Sequence, residues 1–109
     1  MRKAAVFGGS GKIGRRVIAH FEACGIPVCA LEHSNPVPGR NVERIRGSIA
    51  DPGAVEEVID GADIVVQLAT TKEEKKGFFD VTLRGMLNIL EACRGRSIRQ
   101  LILLGGDAA

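Results

Sequence analysis

The chain of 109 residues is the size of one domain, and its 45% hydrophobic and 26% charged residues with only four prolines exclude a disordered or low-complexity polypeptide. A net charge of +2, from 15 basic and 13 acidic residues not gathered into one block, excludes a nucleic-acid surface. Tyrosine and tryptophan are absent, so the core is aliphatic and no tyrosine acts as an acid or base.

The first apolar run, residues 4–7, is short and meets glycine, and from there Ile13, Val17, Ile18 and Phe21 follow helical spacing. A strand hands over to a helix that stops near Gly25. Pro27 introduces a second strand over 28–31, and Ser34-Asn35-Pro36-Val37-Pro38-Gly39 is turn chemistry. A brief third strand follows at 43–46. Asp51 reads as a helix N-cap with Pro52 at the first helical position, and Glu56 and Glu57 near the start suit the helix dipole, so 52–60 is a short helix ended by Asp60-Gly61. Residues 63–68 are a nearly unbroken apolar run, as a strand buried on both faces requires, followed by the charged, irregular stretch 71–77. In the longest helix, Leu83, Leu87 and Leu90 at i, i+4 and i+7, broadened by Met86, Ile89 and Cys93, are expected to cover a sheet face. Residues 101–104 form a fifth, apolar strand at the edge. Short apolar strands alternating with helices predict the α/β class: a Rossmann-type, doubly wound parallel sheet of about five strands in three layers.

Cys24, Cys29 and Cys93 are an odd count with no CxxC pair and sit among apolar or small residues, which predicts reduced, buried thiols in a cytoplasmic protein. No apolar run approaches the ~20 residues that span a bilayer, and Met1-Arg2-Lys3 leads into a strand, not a signal-peptide core. No membrane partner is expected. His20 and His33 lack metal-ligand spacing with the cysteines, so no metal site is assigned. The run Lys72-Glu73-Glu74-Lys75-Lys76 is mixed in sign and reads as a solvated approach to a helix.

Chemistry concentrates in Gly8-Gly9-Ser10-Gly11-Lys12-Ile13-Gly14, at the junction of the first strand and first helix. It reads as GxGxxG from Gly9, Gly11 and Gly14, or as GxxGxxG from Gly8, Gly11 and Gly14, and both spacings belong to dinucleotide sites. Glycines allow the tight turn and the close approach of backbone to a pyrophosphate, and the helix N-terminus supplies free N–H groups and positive partial charge. A nucleoside-triphosphate P-loop is excluded, because Val6 stands where that motif needs glycine and Ile13 where it needs Ser or Thr. Glu32, about 20 residues further on, stands where such domains place the acid that accepts hydrogen bonds from the adenosine ribose. Its charge repels the extra phosphate of NADP and favours NAD, although His33, Arg40 and Arg15 leave NADP possible.

In this order and spacing, the motif Val6 to Gly14, then Val28-Cys29-Ala30-Leu31-Glu32, Gly47-Ser48-Ile49-Ala50-Asp51-Pro52, Gly61-Ala62-Asp63-Ile64-Val65-Val66-Gln67-Leu68-Ala69 and Gly85-Met86-Leu87-Asn88-Ile89-Leu90-Glu91-Ala92-Cys93 resemble the N-terminal part of the NAD-dependent epimerase/dehydratase family, the extended or atypical short-chain dehydrogenases/reductases. The resemblance covers nearly the whole chain. It implies that Ser48 replaces an acid that binds the adenine amino group, that Ile49 lies against the ring, and that Ala69 and Thr70 neighbour the nicotinamide. It also implies that Thr82 takes a place often held by Asn and that Gly85 permits close helix packing.

The family's reaction rests on a Tyr, a Lys four residues later and a Ser or Thr near the end of the fifth strand. Here that strand runs into Leu103-Leu104-Gly105-Gly106-Asp107, with glycine at the expected hydroxyl, and no tyrosine occurs. The expectation is a single dinucleotide-binding domain over 1–109, with no catalytic residue and without the family's C-terminal catalytic and substrate-binding part. Its parent would act on a sugar nucleotide or another carbonyl or alcohol; the alternative is a stand-alone, non-catalytic sensor of NAD(P). The apolar edge strand implies self-association or a covering polypeptide.

Overall fold

The computed structural model describes residues 2–68 and 78–103, and for 78–82 the backbone alone. Strands and helices alternate: β1 (Ala4–Phe7), α1 (Lys12–Ala23), β2 (Val28–Glu32), β3 (Val42–Arg46), α2 (Pro52–Ile59), β4 (Ile64–Gln67), α3 (Phe78–Cys93) and β5 (Gln100–Leu103). All neighbouring strands are parallel and the sheet order is β3-β2-β1-β4-β5, the Rossmann arrangement. The chain moves outward one way from β1 to β3 and the other way from β1 through β4 to β5. The order therefore reverses beside β1, where open α/β sheets present a crevice at the carboxyl ends of their strands.

Two cores follow from the two faces of the sheet. On one, Ala5, Phe7, Cys29, Leu31 and Val65 meet Val55, Val58 and Ile59 of α2 and Ile89 and Ala92 of α3. On the other, Ala4, Val6, Val28, Ala30, Ile64 and Val66 meet Ile18 of α1 and Val37 of the loop after β2. The central strands β1 and β4 are buried along their whole length, which is why their sequences are apolar without alternation. Among the described residues, Asp51 caps α2 by accepting the Gly53 N–H at 3.0 Å, as its position before Pro52 predicts. No helix among them is long and apolar enough to cross a membrane.

Several expectations need correction. The leucine stripe of α3 faces away from the sheet: Leu83, Leu87 and Leu90 are 43%, 53% and 44% exposed, while Gly85, Ile89 and Ala92 are buried. The helix seats on its smallest residues because a side chain at Gly85 would meet Ile49 at 2.9 Å, so close approach outweighs the larger apolar area of the leucines. Ile13 is 52% exposed at the start of α1 and does not join Ile18 in the core. Glu56 and Glu57 lie beyond the first turn of α2, leaving Asp51 as the acid at that end. Cys24 is exposed and Cys93 half-buried, so only Cys29 is a core thiol; all three are free. The fifth strand begins one residue earlier than expected, and Leu104 lies outside the described residues.

Ile89→Ala is expected to cost about 2–4 kcal/mol of unfolding free energy and Leu87→Ala less than about 0.5 kcal/mol, because only the first opens a cavity. Urea unfolding of both variants checks this; equal losses would place Leu87 against the core.

Candidate functional site

The carboxyl ends of β1, β2, β3 and β4 bring Phe7, Glu32, Arg46 and Gln67 to one edge of the sheet, with Phe7 in register with Leu31 on one side and Gln67 on the other. The turn after β1 begins with Gly8 at φ 89°, a left-handed conformation that side chains other than glycine rarely adopt. Gly14 serves packing. A Cβ there would run into the Gly8 carbonyl oxygen and lie 2.7 Å from the Gly9 Cα, so α1 touches the turn backbone to backbone.

Gly11 differs from both. Its φ is −78°, and a Cβ placed on it would have the Gly8 oxygen, 3.8 Å away, as its nearest neighbour among the described residues, so neither backbone strain nor crowding by them accounts for glycine there. It is the N-cap of α1 and offers no side-chain cap, and no acid stands in the first helical turn. The first N–H groups of a helix have no partner within it, so this end presents donors and positive partial charge beside an open cradle. Gly11, Lys12 and Ile13 are exposed and Ser10 half-buried; the Ser10 carbonyl accepts from Arg15 Nε at 3.3 Å.

Glu32 ends β2 half-buried, with Oε2 accepting the Val37 N–H at 2.9 Å and lying 3.9 Å from Arg44 Nε. Its carboxylate is thus already part of the fold. Ser48 Oγ accepts from the Ala50 N–H at 3.1 Å, and the Ile49 carbonyl accepts from Asn88 Nδ2 at 3.0 Å while the Ile49 side chain packs over Gly85. The loop after β3 is therefore tied to α3. Ala69 and Thr70 lie outside the described residues, as does the charged stretch 71–77. Among the described residues, no group of three or more His, Cys, Asp or Glu side chains is arranged to hold a metal. Burial pushes the Cys29 thiol up to about 11, which keeps it protonated and unreactive near neutral pH.

Two residues of this region are easily passed over in the sequence. Val37 is only 3% exposed although it sits between two exposed prolines, and Arg44 contacts the same loop from β3. A lone valine in a turn of Ser, Asn, Pro and Gly is the signal for the first. The second has none, since an arginine in Val42-Glu43-Arg44-Ile45-Arg46 looks like solvent-facing alternation.

The profile of the NAD-dependent epimerase/dehydratase family matches residues 4–109. The chain belongs to that family. A 2-alkyl-3-oxoalkanoate reductase of Shewanella oneidensis is 24% identical over 104 residues, covering 91% of this chain and 27% of the reductase. A short-chain dehydrogenase/reductase superfamily protein of Agrobacterium tumefaciens, solved with bound NAD, superposes with a TM-score of 0.82 at 24% identity, over 94% of this chain and 32% of that one. The UDP-glucose 4-epimerase of Thermus thermophilus, solved in complex with NAD, gives a TM-score of 0.76 at 28% identity, over 93% and 36%. The chain thus spans about a third or less of the length of the first relatives it matches.

The two inner glycines are expected to separate by experiment. Gly14→Ala should cost more than about 3 kcal/mol or prevent folding, through overpacking against backbone that cannot yield, whereas Gly11→Ala should cost at most about 1 kcal/mol as a poorer N-cap. Chemical denaturation of the two variants measures the difference.

Proposed function

We propose that the chain is a dinucleotide-binding domain that binds NAD, with the pyrophosphate over Gly11 at the start of α1 and the adenosine ribose at Glu32. The observation that carries this reading is the open space at Gly11, where among the described residues the nearest atom beyond its chain neighbours would lie 3.8 Å from a Cβ, leaving room for a ligand. The uncapped helix end supplies N–H donors to an anion, and Ser10 and Lys12 flank it. Ser48, Ile49, Ala69 and Thr70 complete the proposed surface toward the adenine and nicotinamide. When bound, NAD supplies the carbon that accepts or gives up a hydride.

Glu32 favours NAD over NADP by repelling the extra ribose phosphate of NADP, while Arg44 beside it softens that repulsion. For the whole protein we propose chemistry on a carbonyl or alcohol carbon, sugar nucleotides included, in keeping with the reductase and the epimerase it resembles. These 109 residues contain no tyrosine, and general acid–base help is typically worth about 10²- to 10⁴-fold in rate, so we propose that they bind the cofactor without turning over substrate by themselves. Non-catalytic sensing of NAD(P) is the second reading, favoured by the same lack. Ile102 and Leu103, 41% and 46% exposed on the edge strand β5, call for cover by further polypeptide or a second copy.

Calorimetric titration tests the site. NADH is expected to bind, Gly11→Val to abolish binding by filling the cradle, and Glu32→Ser to move the ratio of NADH to NADPH dissociation constants toward NADPH while weakening both. Unchanged affinity in Gly11→Val refutes the pyrophosphate position. The chain alone is expected to self-associate at micromolar concentration in sedimentation, where a monodisperse monomer contradicts the need for cover.

A further inference from the structure

The loop between β2 and β3 carries its own clamp. Val37 has its N–H bonded to Glu32 Oε2 at 2.9 Å and its carbonyl bonded to Arg44 Nε at 2.7 Å, so both polar atoms of one backbone unit end on charged side chains. Arg44 also donates from Nη1 to the Val42 carbonyl at 3.0 Å and from Nη2 to the Gly39 carbonyl at 2.8 Å. In register with Ala30, it lies on the sheet face that α1 covers. Backbone groups in a loop have no ladder to bond with, and this guanidinium fork supplies donors at fixed geometry to Val37 and Gly39 of the loop and to Val42 at the start of β3.

What the clamp holds is the side chain of Val37, 3% exposed and packed in the core cluster that includes Ile18 of α1. A Cβ at Gly9 would lie 2.7 Å from Ile18 Cδ1 and 3.1 Å from Val37 Cγ1. Ile18 and Val37 thus close the space beside the second glycine of the motif, where a side chain would have to displace both. Glu22 adds a second tie, accepting the N–H groups of Arg40 and Asn41 at 2.6 and 2.8 Å.

We propose that Arg44 is a positioning residue of the dinucleotide site: by holding the Val37 carbonyl it keeps the valine seated on Gly9 and so fixes the path of the 8–11 turn, a role that rests on the dinucleotide reading above. Glu32 then has two duties, toward the ribose and, through the Val37 N–H, toward the same turn. Lysine cannot replace the arginine, because a single ammonium cannot span the carbonyls of Val37, Gly39 and Val42 as the fork does.

Two measurements on the same variants decide the matter. Amide hydrogen exchange in the ligand-free protein should accelerate about tenfold at Gly9 and Gly11 in Arg44→Met and Val37→Ala, and stay unchanged at Val6 and Ala30 in the sheet. Calorimetric titration should show NADH affinity falling about tenfold in Arg44→Met, Arg44→Lys and Val37→Ala, with the double variant Arg44→Met/Val37→Ala no weaker than either single change, since both act by one route. Wild-type exchange at Gly9 and Gly11, additive losses, or full affinity in Arg44→Lys would overturn the role. Should Arg44→Met not fold, Val37→Ala and Arg44→Lys carry the same comparison. Failure of the wild-type protein to bind NADH would defeat the dinucleotide reading, while the exchange rates would still show whether Arg44 fixes the turn.

Discussion

The contact between Gly14 and the Gly8–Gly9 backbone is the constraint from which the rest of the site follows. With no side chain at 14, α1 closes onto the turn after β1 until backbone meets backbone. That closeness points the uncapped end of the helix over the carboxyl edge of the sheet, where the strand order reverses beside β1. It also leaves Gly11 facing outward. The three glycines therefore divide the labour: Gly8 turns the chain, Gly14 admits the helix, and Gly11 leaves the space beside the helix end open among the described residues.

Much of this was legible in the residues because each device has a local cause. Buried parallel strands need unbroken apolar runs, and residues 4–7 and 64–67 have them. Asp51 before Pro52 is a cap by its own chemistry, and the motif glycines stand at a strand-to-helix junction, where they can meet a phosphate. What misled was the assumption that the greasier face of a helix is the inner one. Along α3 the leucines exceed Gly85, Ile89 and Ala92 in apolar area, yet how closely the helix seats is set by the smallest residue at the contact, and Ile49 of the loop after β3 needs the space at Gly85. That is a tertiary fact, invisible in a periodicity.

The same reason hides the Arg44 clamp. Charge alternation along β3 says nothing of a loop that folds back to receive the guanidinium, and Glu32 read alone is a ribose acceptor with a free carboxylate. In the structure one of its oxygens already serves Val37. On the proposed reading, the residue that sets cofactor choice also supports the loop beside the glycine turn, so exchanging Glu32 is expected to alter both.

The central claim is that the dinucleotide sits over the glycine turn and nowhere else on the described surface. A second concavity exists: an open groove of about 300 Å³ at the opposite edge of the sheet, lined by Glu22, Gly25, Ile26, Pro27 and Asn41. Following backbone amide resonances by NMR as NAD is added separates the two. The account predicts the largest shifts at Gly8 to Gly14 with a smaller set at Glu32 and Ser48; shifts centred on Glu22, Gly25, Ile26 and Asn41, with the glycine turn unmoved, would contradict it.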